Sequence, residues 1–403
     1  MSLSNIGRFG LLGPAGLMAV LGAAQPASAE DGHFLVNARL RTELVDQDGL
    51  ANDATAITLR TRLGYQTGEM SGFTFLVEGE NVLHLVDDFN DTINARPGYP
   101  VVADPETTEL NRLQLAYTGI ENTSLTLGRQ RIILGDARYI GNVGFRQNEQ
   151  TFDAVLASTT AIEHVTVTYA YLDRVHRIFG DDHPAGEFDL DAHALTAALA
   201  APVGTVTAFA ILAEVEDAAA LSSATYGVNW SGSIERDGQP TFGYRLEYAV
   251  QSDYGNAPTA FDLDMFRAEA SLSQNGLSGA LGIESLSGNG SRGFGTPLAT
   301  LHGYQGWADV FLTTPANGIR DIYGRAAYAL PHPPFGSAMR ATIVFHDFET
   351  ENGSADLGSE FDALLTSQLS EHVALEFKAA VYDGGDSALA DRTKLWFAIT
   401  YSR

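Results

Sequence analysis

The stretch "TLGRQRIILGDARYIGNVGFRQNEQTFDA", residues 126–154, gathers four arginines, Arg129, Arg131, Arg138 and Arg146, among glycines, amides and apolar residues. Guanidinium groups at this density suit forked recognition of carboxylates or phosphates. A phosphate-binding loop would need a lysine and a hydroxyl after its last glycine, followed by a helix. Neither this stretch nor the glycine-rich "SGNGSRGFG" (287–295) supplies them. The candidate catalytic histidines near acids are His84 near Asp87, His183 near Asp182 and His346 beside Asp347. No G-x-S-x-G or H-E-x-x-H pattern accompanies them, and adjacent strand residues such as His346 and Asp347 point to opposite faces. Cysteine is absent, which excludes a disulfide framework and a thiolate metal site, and no cofactor motif is present. The arginines therefore need a scaffold before they can be given a role.

Composition narrows that scaffold. With 24 basic against 50 acidic residues the net charge is −26, which disfavours a nucleic-acid partner. Nearly every base is arginine, Lys378 and Lys394 being the only lysines, and the arginines concentrate before residue 150. The first residues carry Arg8, an apolar run from about 10 to 21 and a small-residue end at Ala27-Ser28-Ala29. This three-part pattern predicts a secretory signal over 1–29 and a mature chain of 30–403, since the run falls short of the roughly 20 residues of a spanning helix.

Period-two alternation dominates the rest. Phe34, Val36, Ala38, Leu40 and Leu44 share one face against Asn37, Arg39, Arg41 and Glu43 on the other; Ile57, Leu59, Leu63 and Tyr65 oppose Thr58, Arg60, Arg62 and Gln66. The pattern recurs through Val165–Tyr171, Phe242–Val250, Val373–Val381 and Leu395–Tyr401, giving strands of about ten residues. The joints alternate between long (46–56, 87–108, 135–149, 174–188, 216–222, 252–262, 288–319, 350–357, 383–391) and short (67–72, 119–122, 160–162, 201–204, 235–239, 274–276, 331–337, 370–372). That rhythm predicts an all-β, antiparallel up-and-down transmembrane barrel of about 18 strands, with long extracellular loops, short periplasmic turns and both termini on the periplasmic side. A soluble sandwich fits less well, because its strands run to roughly five or six residues. The location implied is the outer membrane of a Gram-negative bacterium, with lipid and lipopolysaccharide around the barrel.

An arginine facing lipid at mid-membrane would cost roughly 2–4 kcal/mol, so Arg39, Arg41, Arg60, Arg62 and Arg112 are expected to face the lumen. Arg129 and Arg131 share the parity of Leu125 and Leu127, whereas Ile132 and Leu134 are apolar at the other parity. A one-residue slip near Gly128 would turn both arginines inward; otherwise they sit above the apolar band. Later strands carry mixed inward rows: Arg245 with Glu247, Arg267 with Glu269, Glu284, and Glu376 with Lys378. The acidic excess falls to loops such as 85–94, 179–191 and 251–264.

The stretch 127–154, together with "HGYQGWADVFLTTPANGIRDIYG" (302–324), resembles the alginate-export family of outer-membrane porins. The resemblance implies an 18-stranded channel with an arginine-rich lumen that passes an anionic polyuronate such as alginate, with Arg129, Arg131, Arg138 and Arg146 at the constriction. The chain departs from the usual aromatic end of such barrels, since Ser402 and Arg403 follow Tyr401. The expected function is a channel for an anionic saccharide or a small acidic solute. A rim enzyme of the lipase or protease type, or a structural or adhesive barrel, are the alternatives. Whether 135–149 and 288–319 stand above the membrane or fold into the channel is left open by the sequence.

Overall fold

The computed structural model describes residues 32–385 and 387–403, so the expected signal over 1–29 lies outside the described residues. Along the chain come β1 (His33–Gln47), β2 (Ala54–Gln66), β3 (Phe73–Asp88), β4 (Thr107–Ile120), β5 (Thr123–Gln130) and β6 (Thr151–Ile162). There follow β7 (Val165–His176), β8 (Glu187–Ala201), β9 (Gly204–Val215), β10 (Ser223–Ile234), β11 (Thr241–Ser252) and β12 (Asp262–Gln274). The chain ends with β13 (Leu277–Leu286), β14 (Ile319–Leu330), β15 (Ala338–Glu349), β16 (Asp356–Gln368), β17 (Val373–Asp383) and β18 (Arg392–Ser402). Each strand pairs antiparallel with the next, and β1 pairs with β18, so the 18-stranded sheet closes on itself and leaves no edge. The seam runs past the last strand: Val36 and Arg403 exchange two backbone hydrogen bonds of 2.9 and 2.8 Å.

Long and short connections alternate as the joints predicted, which puts all long loops at one end of the barrel and all turns at the other. Alternation of side chains does the rest. Leu63, Leu113, Leu127, Leu246, Phe361 and Phe377 are exposed on the outer face, while the arginines one residue away on β1 and β2 are turned inward. No helix among the described residues is long and apolar enough to cross a membrane; the apolar outer face belongs to strands.

The expected slip near Gly128 does not occur. β5 keeps an uninterrupted register with β4 (Leu113↔Arg129 to Tyr117↔Leu125) and with β6 (Thr123↔Thr159 to Gln130↔Phe152). Gly128 is needed for another reason: its φ is +108°, and a Cβ there would lie 2.3 Å from the Leu113 carbonyl oxygen. The irregularity sits one strand earlier, where Glu78 pairs Arg112 but Gly79 pairs Leu110, leaving Asn111 as an extra residue.

Two loops leave the loop end and fold inside. Segment 131–150, between β5 and β6, and segment 287–318, between β13 and β14, meet through a parallel bridge of Ile140 with Leu298. Gly141 N–H donates to Leu298 O (2.9 Å), Thr300 N–H to Ala137 O (3.0 Å), and Val143 N–H to Thr300 Oγ1 (2.9 Å). Their apolar residues fill two cores within the barrel: Ile132, Ile140 and Leu298 pack on β6–β9, and Phe294, Trp307 and Phe311 pack on β11–β18.

Candidate functional site

The lumen wall falls into sectors of different chemistry. On β1, β2 and β4 Arg39, Arg41, Arg60, Arg62 and Arg112 are turned to the inner face. Arg39 and Arg60 stand directly opposite one another across the β1–β2 ladder. Arg112 makes a forked pair with Glu78 (2.9 and 2.8 Å), Arg62 bonds Glu80 and lies 3.2 Å from Glu149, and Arg41 binds Asp104. Among the described residues Arg39 and Arg60 have no carboxylate within 4 Å. Arg39 donates instead to Gln147 Oε1 (2.9 Å) and to the Gly144 and Phe145 carbonyls (both 3.0 Å), and Arg60 donates to Asn37 Oδ1 (2.5 Å). Two like charges directly opposed across a ladder repel one another unless an anion lies between them.

Next around the wall, β6–β9 turn inward Ala154, Leu156, Ala170, Leu172, Ala192, Ala194, Phe209, Ile211 and Ala213, none of them charged. From β11 to β17 the rows are mixed. Glu247 accepts from Asn229 (2.7 Å), Glu269 accepts from Tyr323 (2.8 Å) and Arg325 (3.1 Å), and Glu284, Asp321, Glu360 and Asp362 are buried.

Segment 131–150 is fastened to these sectors by its own charged and hydroxyl side chains. Asp136 receives Arg245 (2.5 Å) and Arg267 (2.8 Å). Burial alone would raise its carboxyl, but those two guanidiniums hold it down to about 2. Arg138 donates to Glu284 (2.8 Å) and Tyr139 to Glu247 (2.9 Å). Arg146 reaches Glu43 (3.1 Å) and Asp309 of the second inward loop (3.0 Å). Glu149, fully buried, accepts from Arg131 (2.7 Å), Asn142 (2.6 Å) and Asn111 (3.0 Å). Against the burial penalty, Arg62 and Arg131 hold its carboxyl well below the usual range.

The four arginines of the stretch thus have different fates. Arg138 and Arg146 lie in the inward segment 131–150, each paired with carboxylates. Arg131 points inward because the chain leaves the sheet after Gln130, not because of a slip. Arg129 is a correction: in an unbroken ladder it shares the outer face with Leu127 and Leu113. It sits at the loop end of β5, paired with Asp153 (2.9 Å), which also meets His176 (3.0 Å). An outward arginine is tolerated there because it lies at the end of the strand and is neutralised.

The histidines named as catalytic candidates do not face their sequence neighbours. His346 bonds Asp321 across the sheet (2.9 Å) rather than Asp347, His84 meets the Asp104 carbonyl (2.7 Å), and the Ala185 N–H donates to His183 (2.9 Å). Residues that the sequence reading missed are Asp136, Tyr139, Glu149, His302 and Asp309. All lie in loops, where no periodicity marks a facing direction. The inward parity of Lys378 was legible and that of Lys394 can be read from β18, but not that both converge on segment 287–318.

No protein-family model and no curated protein matches the chain. Solved structures do. OccAB2 of Acinetobacter baumannii superposes with a TM-score of 0.70 at 17% identity, covering 92% of this chain and 98% of that one. OccAB4 of the same organism gives 0.70 at 13%, covering 94% and 100%. OpdL of Pseudomonas aeruginosa gives 0.67 at 17%, covering 93% and 99%. At these identities the likeness is one of fold, and it extends over nearly the whole of each chain.

Proposed function

We propose that the protein is an outer-membrane channel for small anionic solutes. Closure of 18 strands with an apolar outer face supports the membrane setting, and an aqueous lumen is expected at that strand number. The observation that carries the choice of solute is the Arg39–Arg60 pair, two opposed inward cations without a carboxylate partner in a wall of further arginines. Two loops folded across the lumen favour a small acidic solute over a polyuronate chain such as alginate. An enzymatic role draws no support from His84, His183 or His346, whose partners are a backbone carbonyl, a backbone amide and acids.

The test is the reversal potential of the purified barrel in a planar bilayer under a salt gradient. Wild type is expected to prefer chloride over potassium. Arg60→Ser is expected to reduce that preference several-fold, and the double change with Arg39→Ser to reduce it further. Arg129→Ser, on the outer face, should leave it unchanged. A cation-selective wild type, or equal selectivity in Arg60→Ser, would overturn the anionic reading; folded protein without conductance would favour an adhesive or structural barrel.

A further inference from the structure

His302 lies in the short helical turn Leu301–Gly303 of the inward segment 287–318, at the point where that segment, segment 131–150 and the wall meet. Its Nδ1 contacts Asp309 Oδ1 (2.6 Å), and its Nε2 lies 2.5 Å from the Lys378 ammonium of β17. These two contacts define one protonation state. Lysine can only donate, so Nε2 must accept, and Nδ1 carries the single ring proton toward Asp309. The ring stacks on Phe145 of segment 131–150 (centroids 3.5 Å apart, planes at 11°) and meets Trp396 of β18 edge-on (5.8 Å).

The surrounding charges make that state hard to change. Asp309 also accepts from Lys394 of β18 (2.8 Å) and from Arg146 (3.0 Å), and Arg146 in turn holds Glu43 of β1. Among the described residues Lys378 has no carboxylate within 4 Å; its ammonium faces the Trp307 ring at 4.0 Å and the Phe145 ring at 4.7 Å. Adding a proton to Nε2 would set two cations against each other in an aromatic box and deprive Lys378 of its acceptor. The cheapest relief is for the turn to leave the box, taking with it the stack on Phe145.

We propose that His302 is a positioning residue for the constriction: neutral, it latches segment 287–318 to segment 131–150 and to Lys378, and protonation releases the latch and widens the lumen. The sign follows from burial, which lowers the imidazole to about 3 while docked, with Lys378 adding to the effect against the pull of Asp309. A released His302 returns to an ordinary value near 6.5. Docking is therefore fully favoured above roughly pH 6.5 and weakens progressively as pH falls from there toward about 3.

The inference rests on the barrel being a channel, and one experiment separates the two. Single-channel conductance is recorded in planar bilayers from pH 7.5 to pH 3.5. Wild type is expected to pass into a larger, noisier conductance within that range. His302→Gln, which can still donate to Asp309 and accept from Lys378 but takes no proton, should stay in the small state throughout. Lys378→Met removes the cation that makes protonation of docked His302 costly, so the pH-driven transition should weaken and move to lower pH than in wild type. Absence of conductance at every pH would reject the channel itself. Conductance that is independent of pH in wild type, or an identical pH profile in His302→Gln, would reject the latch. If His302→Gln does not fold, as judged by loss of heat-modifiable migration, the Lys378→Met shift decides: an unchanged midpoint rejects the proposal.

Discussion

At the scale of single residues, the inward loops are held by charges that are individually expensive to bury and mutually compensating. Arg138 and Glu284 are almost wholly buried, and the guanidinium also lies over the Tyr304 ring at 4.5 Å. Removing one partner of such a pair leaves an uncompensated charge, at a cost of roughly 3–5 kcal/mol. Arg138→Met should therefore undock segment 131–150 in a barrel that still folds, and limited proteolysis should cleave within 131–150 at least tenfold faster; an unchanged rate would show that the pair does not hold the loop. Asp136 behaves with the opposite pH sense to His302 in its ionisation but the same sense in docking. Its carboxyl is held down to about 2, below the ordinary value near 3.9, so the stability it lends is present above about pH 4 and is lost as pH falls from there toward about 2. Asp136→Asn should loosen the loop at pH 7, seen as increased amide exchange over 131–150, and should remove the additional loosening that wild type shows below pH 4.

At the scale of elements, β5 shows how local backbone geometry settles what side-chain patterns leave ambiguous. Its apolar parity changes along the chain because the strand stops, not because it slips: Ile132 is buried inside after the chain turns inward at Arg131, while Leu127 still belongs to the outer face. Gly128 is held at positive φ against the Leu113 carbonyl, so Gly128→Val should destabilise the barrel by about 1–3 kcal/mol through backbone strain and close contact together. The urea midpoint of the barrel reads this, and no loss would mean that the ladder relaxes at this point. Strands and connections were legible because alternation and turn chemistry are local, and the inward direction of Arg39, Arg41, Arg60, Arg62 and Arg112 followed from the cost of the other face. The extra residue at Asn111 did leave a mark that was passed over: Leu110 and Leu113 are both outward although three apart, which a regular strand does not allow. The docking of 131–150 onto 287–318 depends on contacts more than 150 residues apart, such as Arg138 with Thr296, and no period in the sequence encodes them.

At the scale of the whole molecule, the anion selectivity proposed above rests on a difference between sectors rather than on one cluster. The net charge of −26 would suggest attraction of cations, yet much of the acid sits in loops or is paired, whereas the uncompensated inward charges nearest one another are Arg39 and Arg60. The mixed sector from β11 to β17 opposes them through Glu269 and Glu376. Glu269 holds Arg325 at 3.1 Å, so Glu269→Gln removes one negative charge and also frees a cation. The double variant Glu269→Gln, Glu376→Gln should therefore raise the chloride preference over wild type, opposite in sign to Arg60→Ser. Because these groups act across the lumen, the gain should depend on screening, whose length is about 30 Å at 0.01 M salt and about 3 Å at 1 M. Reversal potentials at the two salt levels are expected to show a large increase at the lower and a small one at the higher. An increase of equal size at both would mean that the glutamates act by local contact with the permeating ion and not through the field of the wall.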